Sequence, residues 1–115
     1  MSKIITIKSN RDFQSVYRKG KYVVSKSLTV YMLPNNLEFN RVGITASKNY
    51  GKSVKRNRIR RLIRESYRAI QDNLKTGYDF VIVARKRTEN DIPDFHKISR
   101  ELKYLFKRLD VMDRK

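Results

Sequence analysis

The alternation of apolar and polar positions divides the chain into helical and extended runs. Phe13, Val16 and Tyr17 fall on one face of a short helix that follows Asn10. Ser9 or Asn10 serves as its N-cap, Asp12 stands in its first turn and Gly20 stops it. Ser27–Leu33 is rich in β-formers and ends at Pro34-Asn35-Asn36, and a second strand is expected from about Asn40 to Ser47. The two runs are expected to pair as an antiparallel hairpin with a long loop. In the second, Val42, Ile44 and Ala46 alternate with Arg41, Gly43, Thr45 and Ser47. One face therefore meets a core, and the small polar face is free to floor a groove.

After Gly51 the period becomes helical. Ile59, Leu62, Ile63, Ser66, Ile70 and Leu74 make the docking stripe of a helix running from about Ser53 to Leu74. Tyr78–Ala84 is apolar enough for a central strand covered on both faces. Arg85 to Pro93 reads as a polar connection. From Pro93 onward Phe95, Ile98, Leu102, Leu105, Phe106 and Leu109 recur at helical spacing, with Asn90 or Asp91 as cap and Asp94 also placed to cap. The expected order is α-β-β-α-β-α in a single domain over residues 1–115, with Asp110 to Lys115 fraying.

Charge changes the picture. Against 11 Asp+Glu stand 28 Lys+Arg, a formal net charge of +17, so the domain repels itself unless a polyanion neutralises it. Nucleic acid is the leading partner. A membrane surface comes second, because no apolar run approaches the roughly 18 residues needed to span a bilayer and Met1 to Asn10 lacks the apolar stretch of a signal peptide. A cytoplasmic protein is expected. With no cysteine, and His96 the one histidine, a disulfide framework and a zinc site are excluded.

The charge concentrates on the middle helix. Between Lys52 and Arg68, eight of seventeen residues are basic: Lys52, Lys55, Arg56, Arg58, Arg60, Arg61, Arg64 and Arg68. Asn57, Arg60, Arg61, Arg64 and Arg68 lie opposite the apolar stripe, and Glu65 is the one acidic neighbour, expected to pair with Arg61. Like charges at i,i+3 and i,i+4 each cost a few tenths of a kcal/mol, so this face makes sense once phosphates supply the missing charge. The preference for Arg adds bidentate phosphate contacts and stacking on bases. A merely solvated face would carry mixed signs.

The stretch from Arg41 to Glu65, RVGITASKNYGKSVKRNRIRRLIRE, resembles the signature of the bacterial ribonuclease P protein subunit. Asp12-Phe13, Tyr17, Val30-Tyr31, Ser47-Lys48 with Gly51, and Ile82-Val83-Ala84-Arg85 fall in the order that resemblance requires. Asn49 stands where a second lysine is common, and Ser53 where alanine is usual. The resemblance implies an α/β sandwich with a ribosomal-protein-like fold and a left-handed βαβ crossover carrying the basic helix, where physical precedent alone favours a right-handed one. It implies a role as well. The protein joins a catalytic RNA to form the endonuclease that removes the 5′ leader from precursor tRNA, and the RNA carries the Mg²⁺-dependent chemistry.

On that resemblance Lys52, Lys55, Arg56, Asn57, Arg58, Arg60, Arg61, Arg64 and Arg68 bind the RNA subunit, while Phe13, Tyr17, Tyr31, Thr45, Ser47 and Lys48 bind the leader. Core packing against the sheet would by itself account for Phe13 and Tyr17. Gly51 and the amides that open the helix are placed to receive a phosphate, although an ordinary loop reads the same way. His96 reads as a solvated position. No carboxylate cluster, Ser/His/Asp set or glycine-rich phosphate loop points to catalysis by the protein, and no metal ligand set is expected in it. A ribosomal or other structural RNA-binding protein is the main alternative. A DNA-binding module and a stand-alone nuclease are weaker ones.

Overall fold

The computed structural model describes residues 3–86 and 93–113. Helix α1 spans Asn10–Lys19, α2 Ser53–Ile70 and α3 Phe95–Arg108. Strands β1 (Lys21–Val24), β2 (Leu28–Pro34), β3 (Arg41–Ala46) and β4 (Tyr78–Ala84) form one sheet in the order β1-β2-β4-β3. The mixed α/β architecture is the expected one, with one strand more. β1 is only four residues long and mostly exposed, too short to carry a periodic signal of its own.

The expected hairpin between the second and third of these strands does not form. β4 lies between them, antiparallel to β2 and parallel to β3, with Val30 and Ile44 both opposite Ile82. The reason is burial: Asp79 to Ile82 are all buried, so β4 needs a strand on each side and a helix layer on each face. The link from β2 to β3 then passes β4's start. Asn35 fixes it, donating its backbone N–H to the Gly77 carbonyl (2.9 Å) and accepting the Leu37 N–H on its side-chain oxygen (2.8 Å).

Side-chain alternation divides two cores. Val30, Phe80 and Ile82 face Ile59, Ile63 and Tyr67 of α2 and Leu102, Leu105 and Phe106 of α3. On the other face Val81, Tyr31 and Val83 meet Ile7 and the α1 residues Phe13, Val16 and Tyr17. The helix termini sharpen several expectations. Ser9 is the α1 cap, its hydroxyl accepting the Asp12 N–H. Regular helix in α2 ends at Ile70 and continues to Leu74 as a 3-10 turn, and its buried face includes Tyr67, whose phenol burial pushes well above its usual pKa. Asp94 caps α3 by accepting the Lys97 N–H; the alternative caps Asn90 and Asp91 lie outside the described residues.

Beyond α3 the chain is tied back to the core at Asp110 and Val111. Asp110 takes a left-handed conformation (φ 62°), its N–H meets the Lys107 carbonyl and the Val111 N–H meets that of Phe106, a Schellman closure. Val111 is buried in the core, and its carbonyl accepts the Lys75 N–H at 2.8 Å.

One ion pair ties the α1 side together. Arg41 donates through Nη2 and Nε to the two oxygens of Asp79 (2.6 and 2.8 Å) and through Nη1 to Asp12 of α1 (3.4 Å). Asn35 adds a third bond to Asp79 (2.9 Å). The Asp79 hydrogen bond raises the Arg41 pKa further above its ordinary value. Removing one partner of a buried pair strands the other, but Arg41 is partly solvated, so Asp79→Asn is expected to cost about 2 kcal/mol, below the figure for a fully buried pair. Urea unfolding should show the midpoint falling with an unchanged m-value; an unshifted midpoint would mean that solvent already carries the Arg41 charge.

Candidate RNA-binding surface

Helix α1 packs on β2 and β4, and what it leaves open defines a cleft. Tyr31, Val81 and Gly43 lie in register beneath it, with Val81 and Gly43 buried. The next row, Thr29, Val83 and Thr45, is only half-buried and forms the floor. The small polar face expected of β3 is thus present at Thr45, followed by exposed Ser47 and Lys48 at the strand's end.

The predicted aromatics separate to the two sides of α1. Tyr17 meets Tyr31 edge-on with centroids 4.9 Å apart, and Tyr22 of β1 adds a third ring 5.3 Å from Tyr31. Burial, then the neighbouring Tyr31, raises the Tyr17 pKa, keeping that phenol neutral. Tyr22 is 60% exposed and was missed with its strand; the run Tyr22-Val23-Val24 after Gly20 was the available signal. Phe13 turns the other way, over β3. A Cβ on Gly43 would lie 2.3 Å from the tip of the Phe13 ring, so glycine is what lets the ring approach the strand. Phe13, Ile4, Thr6, Ile44 and Arg64 line a half-open pocket outside β3, bringing together residues assigned to two separate surfaces.

Helix α2 carries the basic face as expected. Among the described residues Lys52, Lys55, Arg58, Arg61 and Arg64 form no ion pair. Glu65 pairs with Arg68 (2.6 Å) instead of Arg61. Helical side chains lean back toward the N-terminus, which carries Arg68 over Glu65 and Arg61 away from it. Arg60 donates to the Asn57 side-chain oxygen and Arg56 to the Ser53 hydroxyl (3.2 Å), while Arg56 Nε is buried with no acceptor among the described residues. The helix opens at Lys52 without a side-chain cap and with no acid in its first turn. Cations there oppose the helix dipole, and first-turn amides lack partners, a combination that an anion relieves. The preceding turn requires Gly51, whose φ is 147°.

At the floor's open end the β1–β2 turn is pinned from α3. One oxygen of Glu101 accepts the Ser25 hydroxyl (2.6 Å) and the Ser27 N–H (2.8 Å). The Ser25 carbonyl in turn accepts from the exposed Arg85 guanidinium (2.5 Å), and the Arg85 N–H meets the Ser27 carbonyl (2.8 Å). Glu101 thus fixes, from the opposite face of the sheet, a turn that holds a cation beside the cleft.

Fold and charge together define a small basic α/β protein that offers polyanions both an aromatic cleft and an arginine helix. The family model described as ribonuclease P matches residues 1–110. The chain is 39% identical over 113 residues to the ribonuclease P protein component of Caldanaerobacter subterraneus subsp. tengcongensis, covering 98% of this chain and 96% of that one. To the component of Clostridioides difficile it is 42% identical over 106 residues, 91% of each. The Staphylococcus aureus RNase P protein structure superposes with a TM-score of 0.83 at 31% identity, covering 96% of this chain and all of that one (100%). The RNase P protein from Thermotoga maritima gives 0.81 at 28%, covering 90% and 96%. The chain belongs to the ribonuclease P protein family. Among the described residues no helix is long and apolar enough to cross a membrane.

Glu101→Ala removes a charged acceptor from two donors and is expected to cost about 2 kcal/mol in thermal or urea unfolding, with Glu101→Gln losing less because its amide oxygen can still accept. Equal losses for the two variants would show that the charge, not the acceptor position, holds the turn.

Proposed function

We propose that this chain is the protein subunit of ribonuclease P, binding the catalytic RNA through α2 and the 5′ leader of precursor tRNA in the cleft between α1 and the sheet. The observation that carries the reading is the open row Thr29, Val83 and Thr45 walled by Tyr17, Tyr31 and Tyr22, on the sheet face opposite α2. Stacking on aromatic faces holds successive bases with about 1–3 kcal/mol each and little sequence preference, which suits a leader of variable sequence. Ser47 and Lys48 at the end of β3 supply hydroxyl and ammonium contacts to its backbone. Lys52, Lys55, Arg56, Asn57, Arg58, Arg60, Arg61, Arg64 and Arg68 serve the RNA subunit, whose phosphates offset the like-charge repulsion along the helix.

The reaction this implies is Mg²⁺-dependent endonucleolytic removal of the leader, with the chemistry in the RNA. Among the described residues no three His, Cys, Asp or Glu side chains converge. In this reading the ion sits on RNA phosphates and the protein contributes binding and orientation, in the cytoplasm where precursor tRNA is made.

Two measurements test the two surfaces. Tyr31→Ala is expected to weaken binding of precursor tRNA at least about fivefold while leaving mature tRNA unaffected; equal losses for both would remove the leader from the cleft. Arg60→Ala with Arg64→Ala should lower the slope of log binding constant against log salt for the RNA subunit by about 1.5. An unchanged slope would move that interface off α2.

A further inference from the structure

The outer face of α3 carries charge that neither the cleft nor α2 explains. Lys97, Arg100, Lys103, Tyr104 and Arg108 are all exposed and, at about 100° per residue, share the side opposite the buried Ile98, Leu102, Leu105 and Phe106. The one carboxylate within the helix, Glu101, is turned to Ser25 and Ser27. Among the described residues none of these four cations forms an ion pair. Lys97 with Arg100 and Arg100 with Lys103 are like charges at i,i+3, each pair costing a few tenths of a kcal/mol. The helix dipole accounts for Arg108 in the last turn, but it opposes Lys97 in the first turn, where the N-cap Asp94 is the acid at hand among the described residues.

At the centre of this face is an aromatic ring with no core role. Tyr104 is 53% exposed, and the Arg108 guanidinium lies 5.8 Å from its centroid. An exposed ring backed by a cation is a platform for a base, while a membrane surface would call for several exposed apolar residues on this side of the helix. Helix α3 packs beside α2 on the same sheet face, through the Ser66–Ser99 hydroxyl bond (3.0 Å) and Tyr67 against Phe106. It is therefore on the face away from the cleft.

We propose that the outer face of α3 is a second docking surface for the RNA subunit, with Lys97, Arg100, Lys103 and Arg108 on backbone phosphates and Tyr104 stacked on an unpaired base. The inference rests on the reading of the chain as a ribonuclease P subunit and extends its RNA grip from one helix to two. RNA bound along α2 would run on to α3, leaving the cleft free for the leader.

The test titrates salt in binding of the full chain to a bacterial ribonuclease P RNA. Combining Lys97→Gln, Arg100→Gln and Lys103→Gln is expected to lower the log–log salt slope by about 2, at roughly 0.7–0.9 per phosphate. Tyr104→Ala should weaken binding at least about fivefold, and Tyr104→Phe should restore it. Unfolding midpoints should hold or rise, because repulsion is removed, and binding of a single-stranded leader oligonucleotide should not change. Arg60→Ala with Arg64→Ala runs in parallel. If that control lowers the slope and the α3 variant does not, the α3 surface is refuted while the parent reading stands; if neither lowers it, both fail. Equal loss of leader binding would overturn the assignment to the RNA subunit. So would a change in self-association, measured by sedimentation, with the RNA slope unchanged.

Discussion

The burial of β4 on both faces is the constraint from which the rest of the molecule follows. A strand with Phe80 and Ile82 on one side and Val81 and Val83 on the other needs cover above and below. Helices α2 and α3 cover one face completely, and α1 covers the other only in part. The incomplete side becomes the cleft, and the complete side presents two helices whose outward residues are free to carry charge. Two working surfaces on opposite faces of one sheet are thus a consequence of how a small core is closed. The Arg41–Asp79 pair reaches Asp12 of α1 and so ties the partial cover to the sheet.

Electrostatics then assigns the surfaces their tasks. Among the described residues the basic face of α2 pairs with no carboxylate but Glu65, and under the proposed function a polyanion that brings its own phosphates converts that repulsion into affinity. The cleft works differently. Its walls are tyrosines and its floor is threonine and valine, a surface that the proposed function uses for stacking and shape with few charges of its own. On the proposed function the protein contributes position and affinity, and the chemistry of leader removal belongs to the RNA.

Much of this was legible in the residues and some was not, for physical reasons. The apolar stripe of α2, the doubly buried β4 and the basic face all show in local periodicity, since each depends on neighbours three, four or two positions away. Strand pairing is a non-local choice. The run Ser27–Leu33 and the run Asn40–Ser47 have hairpin character locally, yet burial of β4 outweighs that local pairing and separates them. Strand β1 escaped notice because four residues hold too few alternations, and Tyr22 was lost with it. The rings of Tyr17 and Tyr31 meet, whereas the placement of Phe13 on Gly43 depends on how α1 packs on the sheet, which no single segment encodes. Glu65 chose Arg68 over Arg61 through the backward lean of helical side chains, a detail finer than charge spacing.

The central claim is that the protein supplies binding while an RNA supplies catalysis. Its most direct test is reconstitution of precursor-tRNA cleavage with a bacterial ribonuclease P RNA at a Mg²⁺ concentration too low for the RNA alone. The account predicts that the purified chain restores correct removal of the 5′ leader and that the chain without RNA cleaves nothing. Cleavage by the protein alone, or no restoration by correctly folded protein, would contradict it.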